Sequence, residues 1–84
     1  EKQMRALVKL GKLVEIANHR FYLPQTLDLI QKDIIQLAQE GPFSVADFRE
    51  FTGISRNVAI EVLEHFDRKG VTRRQENTRI LIQR

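Results

Sequence analysis

The 84-residue chain has no cysteine, no tryptophan, only two prolines and no apolar run longer than four residues. The lack of cysteine excludes disulfides and thiolate zinc sites, and it fits a cytoplasmic location, where disulfides are rare. The short apolar runs exclude a membrane-spanning helix, which needs about 20 apolar residues, and they also exclude a signal peptide. With 42% hydrophobic and 30% charged residues, the composition is typical of a folded, water-soluble domain.

Basic residues are scarce in the middle of the chain. Counting Lys and Arg against Asp and Glu, residues 1–23 carry +3, residues 24–54 carry −3 and residues 55–84 carry +3. The formal net charge of +3 is therefore unevenly spread. A basic segment at each end favours an anionic partner, and no membrane partner is expected.

Catalytic and metal-binding patterns are missing as well. His19 and His65 lie far apart in the sequence, with no cysteine and no HxxxH spacing, so a metal site is not expected. Glu61, Glu64 and Asp67 follow one face of a predicted helix, which is more often a solvated surface than a general acid and base. We therefore expect a non-catalytic protein that needs no cofactor of its own.

From Leu23 onward, apolar residues at three- and four-residue spacing predict three helices. After them, the β-rich stretch "VTRRQENTRILI" predicts a hairpin that turns at Glu76–Asn77, where Asn tolerates the left-handed conformation. Three helices followed by a hairpin are the order of a winged helix-turn-helix, so the predicted fold is mainly α with small β-hairpins (α+β). The expected helix starts and stops are Pro24 and Gly41, Ser44 and Gly53, and Ser55 and Gly70.

The first residues look like a second copy of the end of this unit. We therefore predict that residues 1–22 are the last helix and wing of a preceding winged helix, and that residues 23–84 form a complete C-terminal one. The alternative is that residues 1–22 add a helix and a hairpin to a single domain. Because the chain begins at Glu1 rather than methionine, we expect a piece of a longer tandem array. A shift of 59 positions aligns Gly11 with Gly70, Asn18 with Asn77, and Arg20 with Arg79.

The start of the third predicted helix is the first candidate binding site. Ser55, Arg56 and Asn57 lie where unpaired backbone N–H groups and the helix dipole favour an anion. Farther along the helix, Glu61 and Glu64 would face phosphates if the whole helix lay in a DNA major groove. The pattern favours phosphate binding at the helix tip and argues against the usual DNA-reading pose.

The second candidate site is the hairpin that follows, which we call the wing. With a two-residue turn at Glu76–Asn77, Arg74 and Arg79 lie directly opposite each other and repel by about 0.2–1 kcal/mol. An external anion would relieve that repulsion. The aligned pair in the first hairpin, Glu15 and Arg20, has opposite charges and is expected to neutralise itself. The alternative is a solvated basic edge that discourages strand pairing.

Two longer stretches resemble a known family. "FREFTGISRNVAIEVLEHFDRKGVTRRQENTRIL" resembles the end of the bacterial selenocysteine-specific translation elongation factors, the SelB family. "LVKLGKLVEIANHRFYLP" is similar to the junction between the last two winged helices of that family, so the resemblance covers nearly the whole chain. The pattern "GxSRxxAxxxLExxDRxGxTRR…R" is fairly specific. It implies a parent protein with a GTPase domain, using GTP and magnesium, a tRNA-binding region and four small winged helices.

The resemblance also implies a partner. In the family, the last winged helix holds an mRNA hairpin, the selenocysteine insertion element, beside a UGA codon. The full-length protein would therefore also meet the ribosome and selenocysteyl-tRNA. The family holds the hairpin with the start of the third helix and with the wing. The matching positions here are Arg56, Asn57, Arg73, Arg74 and Arg79.

We interpret these arginines as an RNA clamp. The major groove of A-form RNA is too deep and narrow to admit a helix, whereas a helix tip and a wing can hold the backbone from outside. Two alternatives stay open: a DNA-binding transcriptional regulator, and a protein-interaction winged helix, for which Ile60 is the one large apolar residue on the outer helix face. The predicted RNA-binding residues are Ser55, Arg56, Asn57, Arg73, Arg74, Asn77 and Arg79.

Overall fold

The computed structural model describes residues 2–17 and 20–82, which contain four helices and two antiparallel hairpins. Three helices followed by a hairpin stand in the predicted order, and a further helix and hairpin precede them. The assignment of residues 1–22 to a preceding winged helix stays a prediction. Asn18 and His19 lie outside the described residues. The elements are α1 (Lys2–Lys9), β1 (Val14–Ala17), β2 (Arg20–Tyr22), α2 (Pro24–Ala38), α3 (Val45–Thr52), α4 (Arg56–Arg68), β3 (Thr72–Gln75) and β4 (Thr78–Leu81).

Local sequence signals explain where α2 and α3 begin and end. Pro24 opens α2, where its missing N–H would have had no helical partner. The predicted start of α3 at Ser44 is confirmed, and it forms a capping box: Asp47 N–H donates to Ser44 Oγ, and Ser44 N–H donates to Asp47 Oδ2, both at 3.0 Å. Gly53 ends α3 with φ of 79°, a left-handed conformation that glycine adopts without steric penalty.

The wing has the predicted register. Arg74 lies opposite Arg79 and Gln75 lies opposite Thr78, which leaves Glu76–Asn77 as the two-residue turn. The residue with positive φ is Glu76, at 55°, and not Asn77 as the sequence suggested. Within the turn, Thr78 Oγ1 donates to the Gln75 carbonyl at 3.1 Å, which helps to hold the strands together.

A third short segment joins this small sheet. Phe43 N–H donates to the Arg79 carbonyl at 3.1 Å, and Arg79 N–H donates to the Phe43 carbonyl at 2.8 Å. Because Phe43 directly precedes the cap of α3, this antiparallel bridge holds the start of α3 beside β4. No local sequence pattern predicts this contact, since it joins residues far apart in the chain.

The first hairpin has a different register from the predicted one. Glu15 lies opposite Phe21 and Ala17 lies opposite Arg20, because an irregularity between Glu15 and Ala17 shifts the pairing by one residue. The prediction that Glu15 and Arg20 face each other is therefore wrong. Arg20 instead forms an ion pair with Glu61 on α4.

The first hairpin packs against α4 and shares its core. Ile16 is 3% exposed, and its carbonyl accepts a hydrogen bond of 2.8 Å from Nη2 of Arg68. Together with the Arg20–Glu61 ion pair, this contact covers the part of α4 that carries Glu61 and Arg68. The buried apolar core comprises Ile16, Leu27, Ile34, Phe43, Phe48, Ala59, Val62, Leu63, Phe66 and Val71.

Two phenylalanines on α3 test the importance of this core. Phe48 is fully buried, whereas Phe51, three residues later, is 43% exposed. Phe48→Ala should lower the free energy of unfolding by about 3–5 kcal/mol, because it leaves a cavity in the core. Phe51→Ala should cost about 1 kcal/mol or less. Urea denaturation followed by circular dichroism measures both, and equal losses would contradict the packing described.

His65 should make stability depend on pH. It is buried on α4 with its ring against the edge of Phe66, at a centroid distance of 5.1 Å. Burial, and then the positive charges of Lys69 and Arg68, lower the pKa of His65 from its usual 6.5. The unfolded chain therefore binds this proton more readily, and stability is lost as pH falls below 6.5. In denaturation from pH 7.5 to 5, the stability of the parent relative to His65→Leu should fall; a pH-independent difference would refute this.

Candidate nucleic-acid interface

One groove gathers residues from α3, α4 and the wing, and we call it the helix–wing groove. Its volume is about 320 Å³. Two larger depressions, of about 410 and 470 Å³, lie elsewhere on the surface, but neither has a Lys or Arg in its lining. An anion would therefore find no Lys or Arg partner in the lining of either depression. The helix–wing groove is lined by Ser44, Val45, Ala46, Arg56, Ile60, Glu64, Arg74, Asn77 and Arg79.

Arg56 is the first residue of α4, is exposed and lines this groove. Ser55 occupies the cap position, as predicted, but its side chain makes no capping hydrogen bond. The hydroxyl therefore leaves the N–H groups of the first turn of α4 unsatisfied, which favours an anion there. Ser55 and Asn57 are exposed beside the groove rather than in its lining.

The wing supplies Arg74 and Asn77 to the groove, and both are exposed. Arg74 Nε donates to the Glu76 carbonyl at 3.1 Å, so the side chain is held at the turn. Because side chains alternate along a strand, Arg73 lies on the opposite face of the hairpin and does not line the groove. Among the described residues, neither Arg56 nor Arg73 has an ion-pair partner.

Arg79 lines the groove, but its charge is compensated by an ion pair. It is only 4% exposed, and its guanidinium donates to Asp67 Oδ2 from Nε at 3.1 Å and from Nη2 at 3.0 Å. The prediction that Arg74 and Arg79 form an uncompensated pair is therefore wrong, although their opposite register is right. A carboxylate twelve residues away neutralises Arg79, and strand pattern alone did not reveal it.

Sequence reasoning missed part of the groove. The residues Ser44, Val45 and Ala46 at the start of α3 form one wall, because the Phe43–Arg79 bridge places them beside the wing. Glu64 was expected on the exposed side of its helix, but not as a groove residue. Its carboxylate has no ion-pair partner among the described residues. Phosphates should therefore be held near Arg56 and Arg74 and repelled near Glu64.

Residues 2–17 and 20–82 contain no group of three or more His, Cys, Asp or Glu side chains placed to hold a metal ion. His19, one of the two histidines considered from the sequence, lies outside the described residues. In the same part of the chain, none of the helices is long and apolar enough to cross a membrane.

Fold and groove together define a winged-helix domain with one exposed arginine at the tip of α4 and another on the wing, both lining one groove. The family model for "Elongation factor SelB, winged helix" matches residues 35–81, more than half of the chain. The chain therefore belongs to the SelB winged-helix family, as the sequence resemblance suggested.

Two relatives and one solved structure agree with this assignment. The selenocysteine-specific elongation factor of Haemophilus influenzae is 39% identical over 74 residues, covering 87% of this chain and 12% of that protein. The Escherichia coli factor is 37% identical over 79 residues, covering 93% of this chain and 13% of that protein. The chain thus spans about one eighth of the length of these relatives.

The solved structure is that of the mRNA-binding domain of elongation factor SelB from E. coli in complex with SECIS RNA. It matches with a TM-score of 0.90 and 36% sequence identity, covering 95% of this chain and 67% of that chain. The match extends beyond residues 35–81, so the first helix and hairpin have counterparts in the same region of that structure.

The turn of the wing offers a test of the backbone geometry. Glu76 adopts φ of 55°, which costs a non-glycine residue about 1–2 kcal/mol. Glu76→Gly should raise the free energy of unfolding by about 0.5–1 kcal/mol, after the greater entropy of glycine in the unfolded chain is subtracted. Gln75→Gly, one residue earlier in β3, should lower it by a similar amount. If both variants were destabilised in urea melts, the turn described here would be wrong.

Proposed function

We propose that this chain is an mRNA-binding module that holds a stem-loop, the selenocysteine insertion element, for a selenocysteine-specific elongation factor. One observation carries the proposal: the exposed guanidinium groups of Arg56 and Arg74 lie in the lining of a single groove between helix tip and wing. The 36% identity to an E. coli domain in complex with SECIS RNA supports the choice of RNA. The module itself is non-catalytic, since the matched family model is a winged helix of a translation factor.

The geometry favours an RNA hairpin over a DNA duplex. A DNA-reading winged helix lays its recognition helix in the major groove. Here the first hairpin occupies one side of α4 through Arg20–Glu61 and Arg68–Ile16 contacts, and Glu64 adds a negative charge beside it. What stays accessible is the tip of α4 and the wing, which can hold phosphates without entering a groove. That mode suits A-form RNA.

The candidate residues then take different roles. Arg56 and Arg74 contact phosphates from the helix tip and from the wing, and Asn77 hydrogen-bonds to a sugar or base at the turn. Ser55 and Asn57 lie beside the helix tip, within reach of the same strand. Arg73 contacts the RNA only where the strand passes over the outer face of the wing. Arg79 adds positive potential from behind the groove rather than a direct contact, because Asp67 already binds it.

The wider setting follows from the family. A parent protein of this kind works in the cytoplasm, where it meets mRNA, the ribosome and selenocysteyl-tRNA. Its GTP and magnesium belong to a GTPase domain that this chain does not contain. The module would keep that factor close to a UGA codon by holding the nearby mRNA hairpin.

Substitution of the two groove arginines tests the proposal. Arg56→Ala and Arg74→Ala should each weaken binding of the SECIS RNA hairpin at least tenfold, because each removes a charge-assisted contact worth ~1.5–3 kcal/mol. Lys12→Ala, an exposed change of equal charge before the first hairpin, should alter binding little. Fluorescence anisotropy gives the affinities, and circular dichroism verifies folding. Equal losses in all three variants, or equally tight binding of duplex DNA, would refute the proposal.

The salt dependence of binding provides an independent measure of the contacts. Arg56, Arg73 and Arg74 have no ion pair among the described residues and are available to phosphates. The slope of log K against log salt should therefore be about −2 to −3, from ~0.7–0.9 per contact. Anisotropy titrations between low and moderate salt measure the slope. A slope near zero with binding intact would mean that base and apolar contacts dominate instead.

A further inference from the structure

The Asp67 carboxylate contacts both strands of the wing. Thr72, at the start of β3, donates from Oγ1 to Asp67 Oδ1 at 2.6 Å. Arg79, in the middle of β4, donates to Oδ2 from both Nε and Nη2. Thr72 and Arg79 are 1% and 4% exposed, so both donors are buried, while the Asp67 side chain is half-buried. One side chain near the end of α4 therefore fixes two strands at once.

The bonds of Asp67 to Thr72 and Arg79 hold in place the wall of the groove that the wing forms. Arg74 is the direct cross-strand neighbour of Arg79, so any shift of Arg79 moves Arg74 with it. Arg56 is at the opposite end of the same helix that carries Asp67. The separation between the two proposed phosphate contacts is thus set by the rigid helix and by the bonds of Asp67 to the wing.

We propose that Asp67 is a positioning residue for RNA binding: it touches no RNA, but it holds the wing at the distance from Arg56 that the hairpin requires. This inference rests on the proposed function. A buried ion pair often adds little net stability, because desolvating its charges offsets their attraction. The Asp67–Arg79 ion pair instead keeps the wing in one conformation before RNA binds, which lowers the conformational entropy lost on binding.

The direction of the change in RNA affinity on substitution of Asp67 tests this proposal, because electrostatics alone and a positioning role predict opposite directions. Asp67→Asn removes a negative charge and releases Arg79 at the back of the groove. If electrostatics alone governed binding, or if Arg79 were a direct contact restrained by Asp67, the variant should bind RNA more tightly. If Asp67 positions the wing, the variant should bind less tightly despite its greater positive charge.

The experiment compares two variants with the same change of charge on the same helix. Asp67→Asn should weaken binding of the SECIS RNA hairpin on the order of tenfold, while the slope against salt stays near that of the parent. Glu61→Gln is the matched control, because it releases Arg20 of the first hairpin rather than the wing. It should leave the affinity unchanged or slightly higher. Binding is measured at a temperature where circular dichroism shows both variants folded.

A second readout separates positioning from general destabilisation. Residual dipolar couplings of the amides in residues 72–78 should depart from the parent values in Asp67→Asn, while those of the core helices are retained. If Asp67→Asn does not fold, Arg79→Lys takes its place, since it keeps the charge but loses the two-point bond. It too should weaken binding.

Several outcomes would overturn the inference. Equal or tighter RNA binding by folded Asp67→Asn, or by Arg79→Lys where that variant is needed, would show that the wing needs no such support. A loss as large in Glu61→Gln would show a general effect of charge. If the parent chain bound no RNA hairpin, the proposed function would fail instead, and unchanged wing couplings in Asp67→Asn would separately refute the positioning role.

Discussion

The carboxylate of Asp67 on α4 bonds to both strands of the second hairpin of this chain. It accepts hydrogen bonds from Thr72 on β3 and from Arg79 on β4, at a site where both donors are almost fully buried. The helix–wing groove exists because the wing is held there, and the bridge between Phe43 and Arg79 adds the start of α3 as a wall. The binding surface is therefore assembled by buried polar contacts, while the apolar core beneath it holds the helices together.

Helix α4 binds each of the two hairpins through an ion pair between an arginine and a carboxylate. Arg20 of the first hairpin pairs with Glu61, and Arg79 of the second pairs with Asp67. These two arginines are the ones that the 59-residue offset aligns, so an equivalent position is neutralised in each hairpin. The exposed arginines without an ion pair among the described residues include Arg56 at the helix tip and Arg73 and Arg74 on the wing, which leaves these three available to an anion. Ion pairing, rather than burial, thus separates these structural cations from the cations proposed to bind RNA, since Arg20 is itself exposed.

Much of the fold follows from local signals in the sequence. The capping box at Ser44, the glycine that ends α3 and the register of the wing all depend on neighbouring residues, and the structure has each of them. The errors have a common origin. The pairing of Arg79 with Asp67, the shifted register of the first hairpin and the wall made by residues 44–46 depend on tertiary contacts or on a backbone irregularity. Spacing and charge patterns describe one helix or strand at a time, so they cannot predict these contacts or the shift in register.

The central claim is that RNA is held between the tip of α4 and the wing. The most direct measurement is a titration of the isotope-labelled chain with the SECIS RNA hairpin, followed by amide chemical shifts in NMR spectra. The largest changes should occur at Arg56 and Asn57 on the helix and at Arg74 and Asn77 on the wing. The amides of α1 and of the acidic surface around Glu40 and Glu50 should change little. Changes centred on those surfaces, with the helix–wing groove unaffected, would contradict the account.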